Sequence, residues 1–281
     1  MRRTTGSMLC PGCRKLISVS VPRCPFCGAA RPGLWGFGPA LSRALGGADP
    51  ASLIMPVCIG LFVLSLAVDL RALLRFDGGP FGLLSPSSRA LRMLGSTAPI
   101  DLLTGRAWTL LTAVYLHGGL LHIVFNMLWT RQLAPEVQRA FGAARFFVIW
   151  SVAGAAGFLL SDGLPIFGIG SPHPSIGASG SIFGMMGALM VYGTAVGAQM
   201  MTRQIRTWAI LILVMGFLMP GVDNLAHIGG LAGGWLTATL YRPHLGRREG
   251  RASVLLALAF GLVTVAGLVL SVVTATWRPI G

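Results

Sequence analysis

Four polar residues lie in apolar parts of the chain and carry side chains that can together hydrolyse a peptide bond. Ser179 lies in Gly-Ala-Ser-Gly at 177–180, and His227 lies in Ala-His-Ile-Gly-Gly at 226–230. His122 and Asn126 are four residues apart, so a helix places both on one face. A serine hydroxyl attacks a carbonyl when a base takes its proton and hydrogen-bond donors receive the developing negative charge. Ser179 would be the nucleophile, His227 the base, and His122, Asn126 and the Ser179 backbone N–H the donors.

Each of these residues also has a structural explanation. Gly180 and Gly184 form one Gly-xxx-Gly pair and Gly230 and Gly234 another, and such pairs are typical of closely packed membrane helices. Hydrogen bonding between helices would explain a serine or a histidine beside them. Metal binding by the two histidines is a weaker alternative, because no nearby carboxylate or thiol completes a ligand set. The combination of all four residues, rather than any one, favours catalysis.

The composition excludes an ordinary soluble domain. The 281 residues are 54% hydrophobic and 11% charged, with a mean hydropathy of +0.73, which is typical of a chain that crosses a membrane several times. The net charge of +14 would suit a nucleic-acid-binding protein if the chain were polar. In a chain this apolar, basic residues instead fix the orientation in the membrane and contact anionic lipid. We therefore expect the lipid bilayer, and no nucleic acid, as a partner.

Seven apolar segments are candidates for membrane-spanning helices. They cover about residues 52–70, 108–130, 145–161, 178–198, 207–220, 225–241 and 252–276, the fifth being the shortest. Residues 71–107 contain the helix breakers Pro80, Pro86 and Pro99, so we expect an interfacial, partly helical loop there. The prediction is an all-α polytopic membrane protein.

The basic residues favour an amino terminus in the cytoplasm. With that orientation, 16 of the 22 Lys and Arg residues lie on the cytoplasmic side and 6 on the other, as the positive-inside rule requires. The predicted location is the inner (plasma) membrane of a bacterium, with Ser179 in the outer half of the bilayer. The cysteines near the amino terminus then lie in a reducing compartment, where metal binding is favoured over disulfide formation.

The amino-terminal segment carries two Cys-x-x-Cys pairs, and the pattern resembles a zinc ribbon. Cys10 and Cys13 form the first pair, and Cys24 and Cys27 form the second after ten intervening residues. Two such pairs form a closed, tetrahedral four-cysteine site of the kind that binds structural zinc. A redox-active pair is a weaker alternative because no βαβ pattern surrounds it, and iron stays open as the metal.

Three motifs resemble those of the rhomboid family of intramembrane serine proteases. They are His-x-x-x-Asn at 122–126, Gly-Ala-Ser-Gly at 177–180 and Ala-His-Ile-Gly-Gly-Leu-x-Gly-Gly at 226–234, and the resemblance extends over about residues 52–245. It implies a six-helix bundle followed by a seventh transmembrane helix. It also implies a catalytic dyad of Ser179 and His227, with His122 and Asn126 in the oxyanion hole.

The resemblance extends to supporting residues and has two departures. His117 matches a structural histidine of the family, and Phe183 falls where an aromatic ring contacts the catalytic imidazole. The family commonly has Trp-Arg before the second span, where this chain has Trp108-Thr109. It commonly has Val-Glu after that span, where this chain has Val137-Gln138. Both positions bear on stability and loop dynamics more than on chemistry.

The residues and the resemblance together predict an intramembrane serine endopeptidase that cleaves transmembrane proteins in or near their membrane segments. Its parts would be a zinc ribbon at 1–35, a linker at 36–50, a rhomboid core at 51–245, and an additional transmembrane helix with a tail at 246–281. Zinc would be structural, catalysis would need no cofactor, and the ribbon could bind a cytosolic partner. The alternative is an inactive rhomboid-like protein that binds membrane clients, and the presence of both Ser179 and His227 argues against it. A transporter is disfavoured because the spans show no inverted repeat.

Asp223 is a candidate third catalytic residue, because it stands four residues before His227. We expect it instead in the loop before the sixth span, where a carboxylate stabilises the amino terminus of a helix. The expected catalytic unit is therefore a dyad and not a triad.

Overall fold

The chain forms two compact units, residues 1–49 and 50–281. The structure is a computed structural model. It describes residues 5–10, 15–26, 28, 30–33, 50–70, 82–219 and 221–277. The two units are described separately below.

The smaller unit contains a short antiparallel hairpin. Strand β1 covers Ser7–Leu9 and strand β2 covers Leu16–Ser18, with Met8 opposite Ile17. Cys10 and Cys24 are buried together with Ile17 in its small core. Cys13, Cys27 and most of the predicted linker lie outside the described residues. The described residues exclude Cys13 and Cys27, and no set of three metal-ligating side chains occurs among them, so the zinc site stays a prediction.

The larger unit is built from helices. In chain order these are α1 Pro50–Val68, α2 Ser88–Leu94, α3 Pro99–Leu103, α4 Thr109–Thr112 (continued by a 3-10 turn, Ala113–Tyr115), α5 Leu120–Phe141, α6 Ala143–Ile166, α7 Ser179–Ala195, α8 Gln199–Leu218, α9 Asn224–Tyr241 and α10 Arg251–Trp277. The described part of the predicted interfacial loop contains α2 and α3, so this part is partly helical as predicted.

Four of these helices, α1, α6, α8 and α10, are long and apolar enough to cross a membrane. A fifth span is possible if α4 with its 3-10 turn and α5 count as one bent segment. The all-α polytopic class is therefore confirmed. Helix α7 has 17 residues, and the glycine-rich α9 contains Asn224 and His227, so neither belongs to this set. The predicted number of seven spans stays a prediction.

The second predicted span, 108–130, differs from the structure. The chain bends by 94° between the 3-10 turn and α5, and α5 then continues to Phe141. Gly118 and Gly119 lie at the bend, and the backbone of Gly119 is fully extended, with φ 169° and ψ 169°. Two adjacent glycines leave the helical conformation at little cost, because glycine is a poor helix former. An apolar count along the sequence does not detect such a break.

Helices α7 and α9 cross with their backbones in contact. A Cβ atom added to Gly230 would lie 2.1 Å from the carbonyl oxygen of Gly180, and one added to Gly234 would lie 2.3 Å from Cα of Gly184. The two Gly-xxx-Gly pairs therefore meet in register, and the two helices run in the same direction. Helix α6 packs against both, since a Cβ on Gly157 would lie 2.5 Å from the Ala226 oxygen. The close approach predicted from the small residues is confirmed.

The carboxyl-terminal helix α10 is fastened at its start by Arg145 of α6. Arg145 is buried, and its Nη1 donates to the carbonyl oxygens of Phe141, His244 and Arg247 at 3.2, 2.9 and 3.2 Å. Its Nη2 donates to the Arg248 oxygen at 2.8 Å. One guanidinium thus binds four carbonyl groups and holds the turn that leads into α10.

The other end of α10 contacts the loop before α4. Trp108 Nε1 donates to Ser271 Oγ at 3.0 Å, and Ser271 is fully buried. A Cβ on Gly267 would lie 3.1 Å from the Trp108 ring, so the indole lies directly on the helix backbone. Thr109, which stands where the family commonly has arginine, donates from Oγ1 to the Arg106 oxygen at 2.8 Å. Trp108 therefore joins this loop to α10, and Thr109 bonds back to the loop.

Loss of the Arg145 guanidinium should destabilise the fold strongly. Arg145→Ala removes the four hydrogen bonds of a buried, charged side chain, and we expect it to lower the free energy of unfolding by about 2–4 kcal/mol. Arg139→Ala is the matched control, because Arg139 and its partner Glu136 are exposed, and it should cost less than about 1 kcal/mol. The measurement is the thermal unfolding midpoint of both purified variants in one detergent. Equal midpoints would contradict the role of Arg145.

Candidate active site

Ser179 is the first residue of α7, and the chain before it is shaped by glycine. Gly177 has φ +123°, a left-handed conformation that favours glycine, and its N–H donates to the Ala113 oxygen at 2.9 Å. The first helical hydrogen bond of α7 runs from Ile182 N–H to the Ala178 oxygen. The N–H groups of the first turn, including that of Ser179, have no acceptor within the helix. Ser179 thus carries its hydroxyl at a helix end rich in free donors.

His227 lies in the first turn of α9, and its ring is held by Phe183. The two rings are stacked, with centroids 4.4 Å apart and planes inclined by 14°. This is the aromatic contact that the family resemblance implies. The imidazole is 5% exposed, and its Nδ1 has no hydrogen-bond partner among the described residues. Burial and stacking fix the ring without a carboxylate.

The crossing of α7 and α9 brings Ser179 and His227 to one place. Gly180, which follows Ser179, contacts both Gly230 and the oxygen of Ala226, the residue before His227. Phe183, one turn after Ser179, lies on the His227 ring. Among the described residues, no hydrogen bond joins the Ser179 hydroxyl to the His227 ring. Such bonds are often long in enzymes without substrate and tighten when substrate binds.

His122 lies on α5 and faces the segment before Ser179. The Gly118 N–H donates to His122 Nδ1 at 3.3 Å. A neutral imidazole with Nδ1 as acceptor carries its proton on Nε2. A Cβ on Gly177 would lie 2.7 Å from that Nε2, so this nitrogen points at the chain just ahead of the nucleophile. The ring is therefore a donor directed toward the start of α7.

Asn126 and His117 both contact His122. Asn126 is buried on the same face of α5, and its Nδ2 donates to the His122 oxygen at 2.9 Å. An amide has a second N–H, which is available to another acceptor. His117 is fully buried and packs edge-on against the His122 ring, with centroids 5.1 Å apart. This contact supports the orientation of His122.

A second group of polar residues surrounds the starts of α7 and α9, and sequence reasoning had missed most of it. Asp223 is the N-cap of α9, as expected, and Ser161 and Ser175 donate to its carboxylate. Thr97 pairs with Ser175 through backbone hydrogen bonds. The only signal in the sequence is position: Ser175 stands four residues before Ser179, just as Asp223 stands four before His227.

A metal ion has no ligand set at this site. Among the described residues, no group of three histidine, cysteine or acidic side chains is close enough to hold one. The alternative in which His122 and His227 bind a metal therefore lacks a third ligand. The arrangement of hydroxyl, imidazole and N–H donors instead suits nucleophilic attack on a carbonyl.

Comparison with known proteins agrees with this geometry. The family model described as Rhomboid domain matches residues 104–244, half of the chain. "Rhomboid protease GluP" of Bacillus subtilis (strain 168) is 35% identical over 216 residues, 74% of this chain and 40% of that protein. "RHOMBOID-like protein 4" of Arabidopsis thaliana is 34% identical over 172 residues, 58% of this chain and 42% of that protein. "Rhomboid-like protease 5" of Toxoplasma gondii is 29% identical over 188 residues, 63% of this chain and 22% of that protein.

These matches cover only part of each relative. The chain spans about two fifths of the length of the first two proteins. The matched region nevertheless contains α4 to α9 and all four candidate residues, in the order and on the helices described above. The chain therefore belongs to the rhomboid family.

Proposed function

We propose that this protein is an intramembrane serine endopeptidase with a Ser179–His227 dyad. The observation that carries the proposal is the crossing of α7 and α9 at Gly180 and Gly230, which brings a serine at a helix amino terminus to a buried, stacked histidine. The names of the bacterial and parasite relatives, which include the word protease, add support.

The first step is attack on the peptide carbonyl. Ser179 Oγ forms a bond to the carbonyl carbon while its proton passes to a ring nitrogen of His227. The electron pair of the C=O bond moves to the oxygen, which becomes the oxyanion. Phe183 keeps the imidazole in place by stacking, so the base need not be reoriented when substrate binds.

The oxyanion is stabilised by donors from two helices. His122 contributes its Nε2 proton, Asn126 its free amide N–H, and Ser179 its own backbone N–H. The amino terminus of α7 adds the partial positive charge of the helix dipole. These donors are fixed before the reaction begins, because α5 and the Gly177 segment hold them.

The second half of the reaction releases both products. The oxyanion collapses, the C–N bond breaks, and His227 gives its proton to the leaving amine. A water molecule then attacks the acyl-enzyme with His227 again as base, and the ester bond to Ser179 breaks. No cofactor takes part in any step.

The catalytic unit we propose is a dyad. In trypsin-like enzymes an aspartate accepts a hydrogen bond from the Nδ1–H of the histidine. Here the His227 Nδ1 has no described partner, and the carboxylate of Asp223 is occupied by three other donors. Burial and the Phe183 ring replace the orienting carboxylate.

The substrates would be membrane proteins cut in or near a transmembrane segment. A membrane helix hides its carbonyl groups in hydrogen bonds, so the scissile bond must lie where the helix unwinds. We expect cleavage after small residues, near a Gly or Pro at the end of the span on the side of Ser179. The basic residues favour a cytoplasmic amino terminus in a bacterial inner membrane, which puts that end on the outer side.

Substitution of either dyad residue should abolish cleavage. A nucleophile and its base act as a unit, and Ser179→Ala or His227→Ala should each lower kcat by about 10⁶, to background. The measurement is cleavage of a single-span reporter protein by purified enzyme in detergent, with cut sites mapped by mass spectrometry. Ser181→Ala is the matched control, because Ser181 donates to the Trp150 oxygen away from the site. Full activity of folded Ser179→Ala protein would show that Ser179 is not the nucleophile, whereas no activity of the folded native chain would favour the client-binding alternative.

Asn126 should contribute less than the dyad. Asn126→Ala removes one oxyanion donor and should lower kcat on the order of 10²–10³, with KM nearly unchanged. Thr130→Ala is the matched control, since Thr130 lies one turn further on α5, is fully buried, and has no described hydrogen-bond partner for its hydroxyl. A tenfold rise in KM at constant kcat would show that Asn126 binds substrate instead.

The four amino-terminal cysteines are proposed to bind one structural zinc ion. The spacing of the pairs supports this, as do the buried positions of Cys10 and Cys24 in the small core. A core of so few residues cannot supply the folding free energy, so metal binding would have to supply it. The ribbon would then act in binding a cytosolic partner and not in catalysis.

Loss of this zinc should leave cleavage intact. Cys24→Ser with Cys27→Ser should reduce bound zinc, measured by elemental analysis, from about one ion per chain to none. Cleavage of the minimal reporter should stay within about threefold, because the ribbon forms a compact unit separate from the catalytic bundle. Cys58→Ala, in α1, should keep its zinc. Loss of both zinc and activity in a folded variant would place the ribbon in the catalytic machinery.

A further inference from the structure

The Asp223 carboxylate joins three separate segments through three hydrogen bonds. Its Oδ1 accepts the Ala226 N–H at 2.9 Å, which caps α9. Its Oδ2 accepts the hydroxyl of Ser161 at 2.6 Å and that of Ser175 at 2.8 Å. Ser161 lies near the end of α6 and Ser175 in the loop before α7. One side chain therefore connects the end of α6 to the starts of α7 and α9.

The two segments that meet at this carboxylate lead directly into the dyad. Ser175 is four residues before Ser179, and Asp223 is four residues before His227. The loop at Ser175 is itself held, because Ser175 N–H donates to the Thr97 oxygen at 2.7 Å and Thr97 N–H donates back at 3.2 Å. Thr97 in turn donates from Oγ1 to Asp162 of α6 at 2.5 Å. Hydrogen bonds thus connect the loop before Ser179, through Thr97, to α6.

The dyad needs such a connection because both residues occupy first turns. Glycine packing joins α7 and α9 from Gly180, Ala226 and Gly230 onward, but the first turn of a helix lacks intrahelical acceptors for its N–H groups and frays. A shift of about 1 Å between nucleophile and base can cost about 10² in rate. The carboxylate holds both loops just ahead of these turns.

We propose that Asp223, Ser161 and Ser175 form a clamp that positions Ser179 relative to His227; this rests on the proposed function. These three are positioning residues, since none of them touches the reacting atoms. The clamp and a triad place different chemical requirements on the side chain at position 223. A triad requires a negative charge beside the imidazole, whereas the clamp requires a cap acceptor and a partner for two hydroxyl groups. Asparagine can meet the requirements of the clamp. Its Oδ1 can accept the cap hydrogen bond, and its Nδ2 can donate to the two serine hydroxyl groups, which can rotate to accept.

The test compares Asp223→Ala with Asp223→Asn in the full chain. Asp223→Ala loses all three bonds and should lower kcat on the order of 10², with KM within about threefold. Asp223→Asn should stay within about tenfold of the native rate, where loss of an orienting aspartate would cost about 10⁴. Ser151→Ala is the control, because Ser151 is a buried serine of α6 whose hydroxyl has no described partner.

A second readout separates positioning from general stability. The rate at which a fluorophosphonate probe labels Ser179 reports the geometry of the dyad without substrate. It should fall in parallel with kcat in Asp223→Ala and in Ser161→Ala with Ser175→Ala. Adding Ser175→Ala to Asp223→Ala should cost little further, because both changes remove the same bond. If Asp223→Ala does not fold, the double variant Ser161→Ala with Ser175→Ala decides the question alone.

Three results would overturn the clamp. They are native labelling and kcat in Asp223→Ala or in the double serine variant, an equally deep loss in the asparagine and alanine variants, and full additivity of Ser175→Ala with Asp223→Ala. The proposed function fails by a different result, namely cleavage or probe labelling that persists in Ser179→Ala.

Discussion

The contact between the backbones of α7 and α9 is the constraint on which the rest of the bundle depends. Gly180 meets Gly230 and Gly184 meets Gly234 at distances that exclude any side chain. This contact explains why the central helices are rich in glycine although glycine disfavours helices. It explains why α6 supplies Ala153 and Gly157 on its facing side. It also limits the distance between the proposed nucleophile and the proposed base, since a wider crossing would separate Ser179 on α7 from His227 on α9.

The site is built at helix beginnings, and this location has two effects. Free N–H groups and the helix dipole favour negative charge there, which suits an oxyanion. The same free groups make the first turns less rigid than the helix middle. The structure combines both properties by placing fixed elements around the turns: the Phe183 ring on His227, the Gly177 segment against His122, and the hydrogen-bonded loop at Thr97. The first turns therefore supply the hydrogen-bond donors, and the residues around them supply the rigidity.

The sequence predicts what depends on local spacing and misses what depends on distant contacts. The placement of His122 and Asn126 on one face and the glycine faces of α7 and α9 follow from four-residue intervals, and both are present in the structure. The contact of Phe183 with His227 is implied by the family resemblance, and it is present as well. The bend at Gly118-Gly119 was missed because an apolar count treats a broken and a straight segment alike. The bonds of Asp223 to Ser175 and Ser161 span 48 and 62 residues. Nothing in a local pattern specifies such a pairing.

Arg145 has a consequence for the order in which the protein can assemble. Its acceptors at 244, 247 and 248 leave the ribosome about 100 residues after the guanidinium itself. Until they arrive, the charge of Arg145 has only the Phe141 carbonyl from this set, and a charged group without partners avoids the apolar phase. The full set of Arg145 hydrogen bonds therefore forms only after α7, α8 and α9 have been synthesised. This contact between the start of α6 and the turn before α10 is thus a late event in biogenesis.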